Sequence, residues 1–394
     1  MFKHLFKLIW NKKKQNSLLI FEMLVSFMVI FAVFSSIVYF YRNYLKPMGM
    51  EYEHVWLVSY QNHEKFSNSD SLVQYYETLR RTLKGLPAVR ELSFTSGNTP
   101  FANQTNGAGL TFRKKKLNLV NVFHVEDSYK DVLSRKMLEG RWLEKQDAVA
   151  RNRHIVINET LKEMTFGKEN AVGQLIDSWN EKEKFEVIGV VNDTKDQGDY
   201  SRPLPGFYQR ADTSAFYWLN HILIRVSPDA GAAFESRLYK TLASSMKNAN
   251  IEIRHLDDML VVKNKFTLVP MIIALIVAGF LIVNVALGLF GVLWYNINKR
   301  RGEIGLRRAV GASGRSVSGQ LVSESLILAT LALIIGVFFA IQFPLLHVFD
   351  LPSMVYIIAM LLSVLFIYLL VLVCSLYPGK QAAGIYPAVA LHED

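Results

Sequence analysis

The residues with the most regular chemical pattern lie in the basic stretch NKRRGEIGLRRAVGASGRSVSGQ, residues 298–320. Arginines and one glutamate, Glu303, alternate there with apolar side chains. The pattern predicts a short interfacial helix over residues 303–310 that ends at Gly311 and rests its apolar side on the membrane. If this helix docks in a groove of another protein, its exposed charges are expected to matter for the contact.

Four side chains of this predicted helix carry specific expectations. Ile304 and Leu306 are the apolar positions expected to seat the helix on the membrane-spanning part of the chain. Arg307 or Arg308 is expected to project outward. A simpler interpretation is that the charges only hold the loop on the cytoplasmic side. The sequence leaves both interpretations open.

Two carboxylates, Glu22 and Glu324, fall inside apolar stretches. Acidic residues within a membrane are costly and are functional by default. Both positions lie near the cytoplasmic end of their stretch, where they can reach water or pair with a nearby Arg or Lys. A structural pair and a role in conformational coupling are equally consistent with this placement. A proton relay is disfavoured, because no further acids continue across the layer.

Motifs for catalysis and for nucleotide binding are absent from the sequence. There is no G-x-x-x-x-G-K-[ST], no H-E-x-x-H and no G-x-S-x-G, and the nine histidines have no metal-ligand spacing. Glu126, Asp127 and Asp131 form an acidic group that is interpreted as ordinary helix capping. We therefore expect that the chain is not an enzyme and binds no cofactor or metal itself.

Four apolar stretches must position these groups. Each reaches the roughly 20 residues that a helix needs to cross a hydrocarbon layer about 30 Å thick. The fold class predicted is a membrane protein with four transmembrane helices and a large α+β extracytoplasmic domain between the first two. The predicted boundaries are a basic amphipathic segment at 1–16, spans at 17–41, 266–296, 320–343 and 353–376, the domain at 42–265, a coupling segment at 297–319, a short external loop at 344–352 and a tail at 377–394.

Charge asymmetry predicts the orientation. Lysines precede the first span, and six Lys and Arg lie between the second and third spans. Short loops rich in Lys and Arg stay in the cytoplasm, so both termini are expected inside and residues 42–265 outside. The net charge of +10 does not indicate nucleic-acid binding. Residues 42–265 carry 32 Lys and Arg against 28 Asp and Glu, and the remaining excess flanks the spans.

The external segment alternates strand and helix patterns and contains no cysteine, since the single cysteine is Cys374 in the fourth span. Its core must therefore form without disulfides. Strands are predicted at 52–59, 89–95, 117–125, 154–157, 185–191 and 221–226, and helices at 71–84, 127–133, 159–166 and 232–246.

Small residues mark a helix-packing face in the third span. Ala332, Gly336 and Ala340 recur every four positions, so one side of that helix permits close approach. Packing within the bundle and packing across a dimer both fit this spacing.

Taken together, these motifs resemble the FtsX-like/MacB-like permease family of ABC transporters. The run R-x-E-I-G-L-R-R-A-x-G-A looks like the family's cytoplasmic signature, and the resemblance extends in order over nearly the whole chain. Glu22 departs from the family pattern, and no fused ATPase domain is found. The matching positions are Arg301, Glu303, Ile304, Gly305, Leu306, Arg307, Arg308, Ala309, Gly311 and Ala312, then Gln320 and Glu324, the ending Tyr377, Pro378, Ala382, Ala383, Pro387, Ala390 and Leu391, and in the external segment residues 140–142, 155–160, 173 and 187–193.

This resemblance implies a permease subunit in the bacterial inner membrane. It implies an ABC ATP-binding subunit as a separate partner, which would hold ATP and Mg, and a dimer with a second permease copy or a paralogue. A periplasmic adaptor protein and the lipid bilayer complete the expected partners, and no nucleic acid is expected. The resemblance further implies coupling to the ATPase through Arg301, Glu303, Ile304, Gly305, Leu306, Arg307, Arg308 and Gly311.

Three functions compete at this stage. The first is a permease that transmits ATP-driven motion to the external domain and exports or extrudes an envelope-side substrate. The second is a regulatory FtsX-like permease that controls a cell-wall hydrolase, although such proteins would usually carry a smaller external domain. The third is a membrane sensor without transport, which would not need the arginine-rich coupling segment. The first is favoured, and the substrate cannot be read from the sequence.

Overall fold

A computed structural model describes residues 13–61, 69–103, 105–180, 183–211, 219–246 and 249–384. The chain divides into two compact units. One, called the membrane unit below, comprises Met1–Arg42 with Leu268–Asp394, and the other, called the external unit, comprises Asn43–Thr267. The predicted amphipathic segment, apart from its last residues, and the end of the tail lie outside the described residues.

Ten helices are described, and four are long and apolar enough to cross a membrane: α1, α6, α8 and α10. The helices are α1 Lys13–Tyr44, α2 Ser69–Lys84, α3 Tyr129–Val132, α4 Glu159–Thr165, α5 Ala232–Ser245, α6 Leu256–Lys299, α7 Arg301–Ala309, α8 Gly314–Ala340, α9 Gln342–Leu345 and α10 Ser353–Ala383.

Each predicted span lies within or largely within an observed helix, but the helices are longer than the apolar stretches. The largest difference is α6, which begins at Leu256, ten residues before the predicted span. Its 44 residues correspond to about 66 Å of helix at 1.5 Å per residue. A hydropathy pattern identifies only the apolar part of a helix. It therefore does not detect the more polar residues with which α6 begins.

Aromatic and small side chains pack closely within the largely aliphatic core of the membrane unit. Phe27 and Phe31 of α1 stack with ring centroids 6.3 Å apart, and both are buried. A Cβ added to Gly336 of α8 would lie 2.5 Å from the ring of Phe27. The glycine therefore permits the ring to pack directly against the helix backbone.

Eleven strands of the external unit belong to one sheet, in the pairing order β11-β1-β10-β2-β4-β3-β7-β8-β6-β9, with β5 on β8. The strands are β1 Val55–Gln61, β2 Val89–Gly97, β3 Gly107–Phe112, β4 Lys115–Val125, β5 Met137–Gly140, β6 Arg153–Asn158, β7 Leu175–Ser178, β8 Lys184–Val191, β9 Gly206–Arg210, β10 His221–Val226 and β11 Asn250–His255.

The first lobe is an open antiparallel sheet, β11-β1-β10-β2, covered on one face by α2 and α5. Apolar residues of α2 recur at Leu72, Tyr76, Leu79 and Leu83, and all four are buried. This 3.6-residue period produces an amphipathic helix whose apolar stripe faces the sheet. The helix ends before Gly85, as the sequence predicts.

The second lobe is a closed ring of strands. β4 pairs with β3, β3 with β7, β7 with β8, β8 with β6, β6 with β9, and β9 returns to β4 in parallel. Its interior is a separate apolar cluster that includes Leu110, Ile155, Val187 and Phe207. Because β4 also pairs with β2, the two lobes form one continuous sheet.

The structure corrects the interpretation of Glu126 and Asp127 as capping residues. Ser128 occupies the N-cap of α3 without a side-chain cap hydrogen bond. Glu126 instead pairs with Arg80 of α2 and accepts a hydrogen bond from the backbone nitrogen of Phe94 at 2.7 Å. Asp127 pairs with Arg210 at 2.8 Å. These carboxylates therefore join elements that are distant in sequence.

Candidate functional site: the α7 coupling segment

The α7 helix is a short segment that begins directly after α6 and ends before Gly311. Gly311 has a φ of +101°, a left-handed conformation that glycine adopts without strain. The side chain of Ser313 then accepts a hydrogen bond from the nitrogen of Ser316 and caps α8. The chain therefore makes a helix–turn–helix connection over the basic stretch, as the sequence predicts.

Ile304 anchors α7 to the membrane unit. It is 7% exposed and packs with Ile297 of α6, Val317 and Leu321 of α8, and Ala382 of α10. Gly305 beside it is also buried. A single apolar side chain of α7 therefore contacts three of the spanning helices.

A ring of five polar side chains surrounds this anchor. Arg307 donates to Glu303 at 2.6 Å and to Gln320 at 2.8 Å. Gln320 donates to Glu324 at 3.1 Å, and Arg300 approaches both Glu324 at 3.4 Å and Glu303 at 3.3 Å. The ring links the end of α6, the α7 helix and the first turns of α8. Such a network restricts α7 more than an isolated surface pair does.

Arg308 binds the end of the fourth span rather than projecting outward. Its Nη1 donates to the carbonyl oxygen of Ala383 at 2.9 Å. A cation at the C-terminus of a helix is favoured by the exposed carbonyls and by the helix dipole. Of the two arginines predicted to project outward, Arg308 therefore does not, whereas Arg307 is exposed while it bonds to the ring.

The outward side of α7 presents an apolar stripe beside two exposed charged residues, Glu303 and Arg307. Leu306 is 55% exposed and Val310 is 82% exposed, and the small residues Gly302 and Ala309 lie beside them. Ile304 and Leu306 are two positions apart, which is about 200° around a helix, so they cannot face the same partner. The prediction that Leu306 seats the helix on the bundle is therefore wrong, whereas the prediction for Ile304 agrees with its burial.

The two intramembrane acids have different surroundings. Glu324 belongs to the ring, which agrees with the structural-pair interpretation. Glu22 lies against α6, where a Cβ on Gly288 would come within 2.7 Å of its Oε2. Among the residues that the structure describes, Glu22 has no hydrogen-bonding or ionic partner. The carboxylate therefore occupies a notch that the glycine leaves open.

The small residues of the third span pack within the bundle. Ala332 and Ala340 are each 1% exposed, and Gly336 contacts Phe27. This face of α8 is therefore covered by the chain's own helices.

The external unit contains a polar cavity of about 520 Å³ in the second lobe. Its wall includes Asp147, which the Arg141 guanidinium binds through both oxygens at 2.6 and 2.8 Å. The same carboxylate accepts from His154 at 2.7 Å. These contacts, led by the Arg141 hydrogen bonds, hold the pKa of Asp147 well below its usual range. Four cations also line the cavity, namely Arg151, Arg153, Lys184 and Arg210.

A group of potential metal ligands lies where β11 meets α6. Donor atoms of His255, Asp257 and Asp258 lie within 4.8 Å of one another. His255, however, contacts Glu235 at 3.1 Å and stacks on the Trp56 ring with centroids 4.6 Å apart. Its ring is thus already engaged by the protein, and we assign no metal to the group.

Comparisons with known proteins agree with this architecture. Residues 22–238 match the MacB-like periplasmic core domain family, and residues 275–387 match the FtsX-like permease C-terminal family. The chain is 25% identical to the macrolide export ATP-binding/permease protein MacB of Aggregatibacter actinomycetemcomitans over 62% of its own length and 38% of that relative. It is 24% identical to the ABC transporter permease YvrN of Bacillus subtilis over 71% of its own length and 72% of that relative.

Two solved structures match about half of this chain at low similarity. The periplasmic region of MacB from Actinobacillus actinomycetemcomitans covers 55% of this chain and 95% of its own, at 20% identity and a TM-score of 0.39. The extracellular domain of YknZ, a noncanonic ABC-type transporter from Gram-positive bacteria, covers 50% of this chain and 99% of its own, at 15% identity and a TM-score of 0.34.

The family matches and the four spanning helices define an integral-membrane permease of the ABC-transporter class. The chain belongs to the FtsX-like permease family with a MacB-like periplasmic core domain, as the sequence motifs indicate. It spans well under half of the MacB relative's length.

Proposed function

We propose that this chain is the permease subunit of an ABC transporter that transmits ATP-driven motion of a separate ATP-binding subunit to the external domain. The proposal includes export or extrusion of an envelope-side substrate. The supporting observation is the geometry of α7, which is fixed on one side and presents an apolar stripe on the other. ATP and Mg would be held by the partner subunit.

The contact proposed is an apolar face of α7 inserted into a groove of the ATP-binding subunit. Neighbouring exposed apolar side chains with a polar rim mark a site of interaction with a protein or a membrane. Amphipathic helices commonly dock by placing such residues in an apolar groove. Leu306 and Val310 would make the contact, while the polar ring and Ile304 would carry the force to α6, α8 and α10.

The assembly and orientation belong to the same proposal. A second copy of this chain or a paralogue would complete a dimer, and a periplasmic adaptor would bind the external domain. Both termini and α7 would lie in the cytoplasm. The Lys and Arg side chains of the stretch 298–320 support this orientation, because short loops rich in these residues remain on the cytoplasmic side of the membrane.

The test is association of the full chain with an ABC ATP-binding subunit in co-expression and pull-down. Leu306→Ser combined with Val310→Ser should weaken association about tenfold or more, because central apolar anchors dominate such interfaces. The matched control is Leu346→Ser, which alters a leucine that is 70% exposed beyond the other end of α8. Wild-type association and wild-type stimulation of ATP hydrolysis in the double variant would contradict the proposal.

A further inference from the structure

The turn between β8 and β9 contacts the segment that enters the external unit. Lys195 is 2% exposed, and its Nζ donates to the carbonyl oxygen of Asn43 at 3.2 Å. Asn43 lies in the last turn of α1, where helix carbonyls have no partner within the helix. The Asn43 amide in turn donates to the Tyr200 carbonyl at 3.2 Å, and the Tyr44 and Tyr200 rings stack at 5.7 Å.

The same turn contacts the segment that leaves the unit. Asn264, in the first part of α6, accepts from the backbone nitrogen of Asp199 at 3.0 Å. Its amide also donates to the Asp199 carboxylate at 2.7 Å. Asp199 thus bonds both the oxygen and the nitrogen of the Asn264 side-chain amide. The two bonds fix the orientation of that amide.

Glycine is required at the centre of this turn. Gly198 has a φ of +98°, and an added Cβ would lie 2.8 Å from Oδ1 of Asn264. A side chain at this position would displace the asparagine and would also strain the backbone. The approach of the turn to α6 is therefore as close as the backbone permits.

Hydrogen bonds hold the turn in shape and attach it to its surroundings. The nitrogen of Gly198 donates to the Lys195 carbonyl at 3.1 Å, and Lys195 Nζ also donates to the Asp199 carbonyl at 3.0 Å. The backbone nitrogen of Lys195 donates to the Met48 carbonyl at 3.1 Å. The nitrogen of Phe101, which follows β2, donates to the Asp196 carbonyl at 2.9 Å.

We propose that residues 195–200 form a crossbar that joins the end of α1 to the beginning of α6, so that the two segments move as one body. Lys195 and Asn264 are its positioning residues. The turn connects β8 to β9, two strands of the closed ring, so displacement of either segment would be delivered to the second lobe. A role of the crossbar in transmitting ATP-driven motion rests on the proposed function. The physical link that it makes between α1 and α6 does not.

The test measures the distance between spin labels at Leu45→Cys and Lys265→Cys in the full chain, in lipid nanodiscs and a Cys374→Ser background. Both label sites are exposed. The background should give a single narrow distance distribution. Asn264→Asp should at least double the width of this distance distribution, because the carboxylates at positions 264 and 199 then repel each other. Adding Asp199→Asn exchanges the two groups, restores an amide–carboxylate pair and should restore the narrow distribution.

Two controls separate this linkage from general damage. Asn284→Ala removes an asparagine of the same helix whose amide donates to the carbonyl of Phe280, at 2.8 Å, within one helical turn, and should leave the distribution narrow. Labels at Glu163 and Lys184 in the second lobe should keep their distance in every variant if the fold is intact. A narrow distribution in Asn264→Asp, or no rescue by the exchange, would overturn the proposal. No partner is needed, so failure of the ATPase proposal would not alter these distances.

Discussion

Arg308 donates a hydrogen bond from Nη1 to the carbonyl oxygen of Ala383, at 2.9 Å, and so joins α7 to the last turn of α10. A Cβ on Gly314 would lie 2.7 Å from the same Nη1 and 3.2 Å from the Cβ of Ala383. The start of α8 is thus packed against this contact. The start of α8 and the distant end of α10 thus meet at one guanidinium, which explains why a residue expected to face outward is turned toward the bundle.

Arg308→Gln should therefore loosen the attachment of α7 to the fourth span. A hydrogen bond from a charged donor contributes about 1.5–3 kcal/mol, so the full chain in detergent should unfold several degrees lower. The matched control is Arg315→Gln, which alters an exposed arginine of the same stretch and should leave the unfolding temperature unchanged. Equal unfolding temperatures for the two variants would show that the Ala383 contact does not stabilise the unit.

Replacing Glu303 and Arg307 together by alanine should open the polar ring while Ile304 remains in place. Amide hydrogen exchange over residues 301–309 should become about tenfold faster, since local opening would cost about 1.4 kcal/mol less. Exchange in α10 should not change and serves as the internal reference. Unchanged exchange in α7 would mean that Ile304 alone holds the helix.

Close packing at Gly336 predicts a severe effect from a single methyl group. Gly336→Ala should destabilise the membrane unit by about 1–3 kcal/mol, because the fully buried Phe27 ring must move. Gly291→Ala is the control. No atom lies within 4 Å of its added Cβ, so the helix should gain up to about 1 kcal/mol.

Phe27→Leu should partly rescue Gly336→Ala, because a smaller side chain makes room for the added methyl group. The coupling free energy between the two substitutions is obtained from thermal or denaturant unfolding of the single and double variants. Additive effects in this cycle would contradict direct packing of the ring on Gly336.

The features that the sequence predicts are those encoded by local periodicity. Hydropathy finds the four spans, and the 3.6-residue pattern of residues 71–84 finds α2. The strands β3, β5, β7, β9 and β11 are missed because they depend on pairing with distant strands. In β3, for example, Gly107 pairs with Asn121 of β4. The tendency of a segment to form a strand depends largely on the side chains of neighbouring strands. A single sequence does not show which segments will become neighbours.

In the coupling segment, the sequence predicts the helix but not which apolar face is buried. Ile304 and Leu306 are chemically similar, and both belong to the family signature. Only the position of Val317, Leu321 and Ala382 distinguishes them, because these residues surround Ile304. The crossbar has no sequence signal either, since it consists of single contacts between segments more than 60 residues apart.

The orientation of the spans can be tested with single cysteines in a Cys374→Ser background. Ser178→Cys, in the external unit, should react with a membrane-impermeant maleimide in intact cells. Gln381→Cys, in the last helix, should react only after the membrane is permeabilised. The expectation follows from the basic stretch at residues 298–320. Labelling in the reverse order would place the external domain in the cytoplasm and would exclude contact of α7 with an ATP-binding subunit.

The last prediction concerns His221, the first residue of β10. Burial, with a smaller contribution from the charge of Arg254, lowers its pKa from 6.5 to about 4. In the unfolded chain the His221 side chain takes up a proton near pH 6.5, whereas in the folded protein the same side chain stays neutral until about pH 4. The unfolded state therefore binds more protons in this window, and stability should fall as the pH falls from 6.5 to 4.

The size of this effect follows from the shift in pKa. Each unit corresponds to 1.36 kcal/mol, so His221 should account for up to about 3 kcal/mol of the loss. Denaturant unfolding of the full chain between pH 4 and 8 should show this loss. His221→Gln should remove that part of the slope, while carboxylates that titrate in the same range cancel in the difference between the two proteins. His54→Gln, at an exposed histidine of the same unit, is the matched control and should retain the slope. If His221→Gln and the unaltered chain lose stability in parallel from pH 6.5 to 4, protonation of His221 does not oppose folding of the external unit.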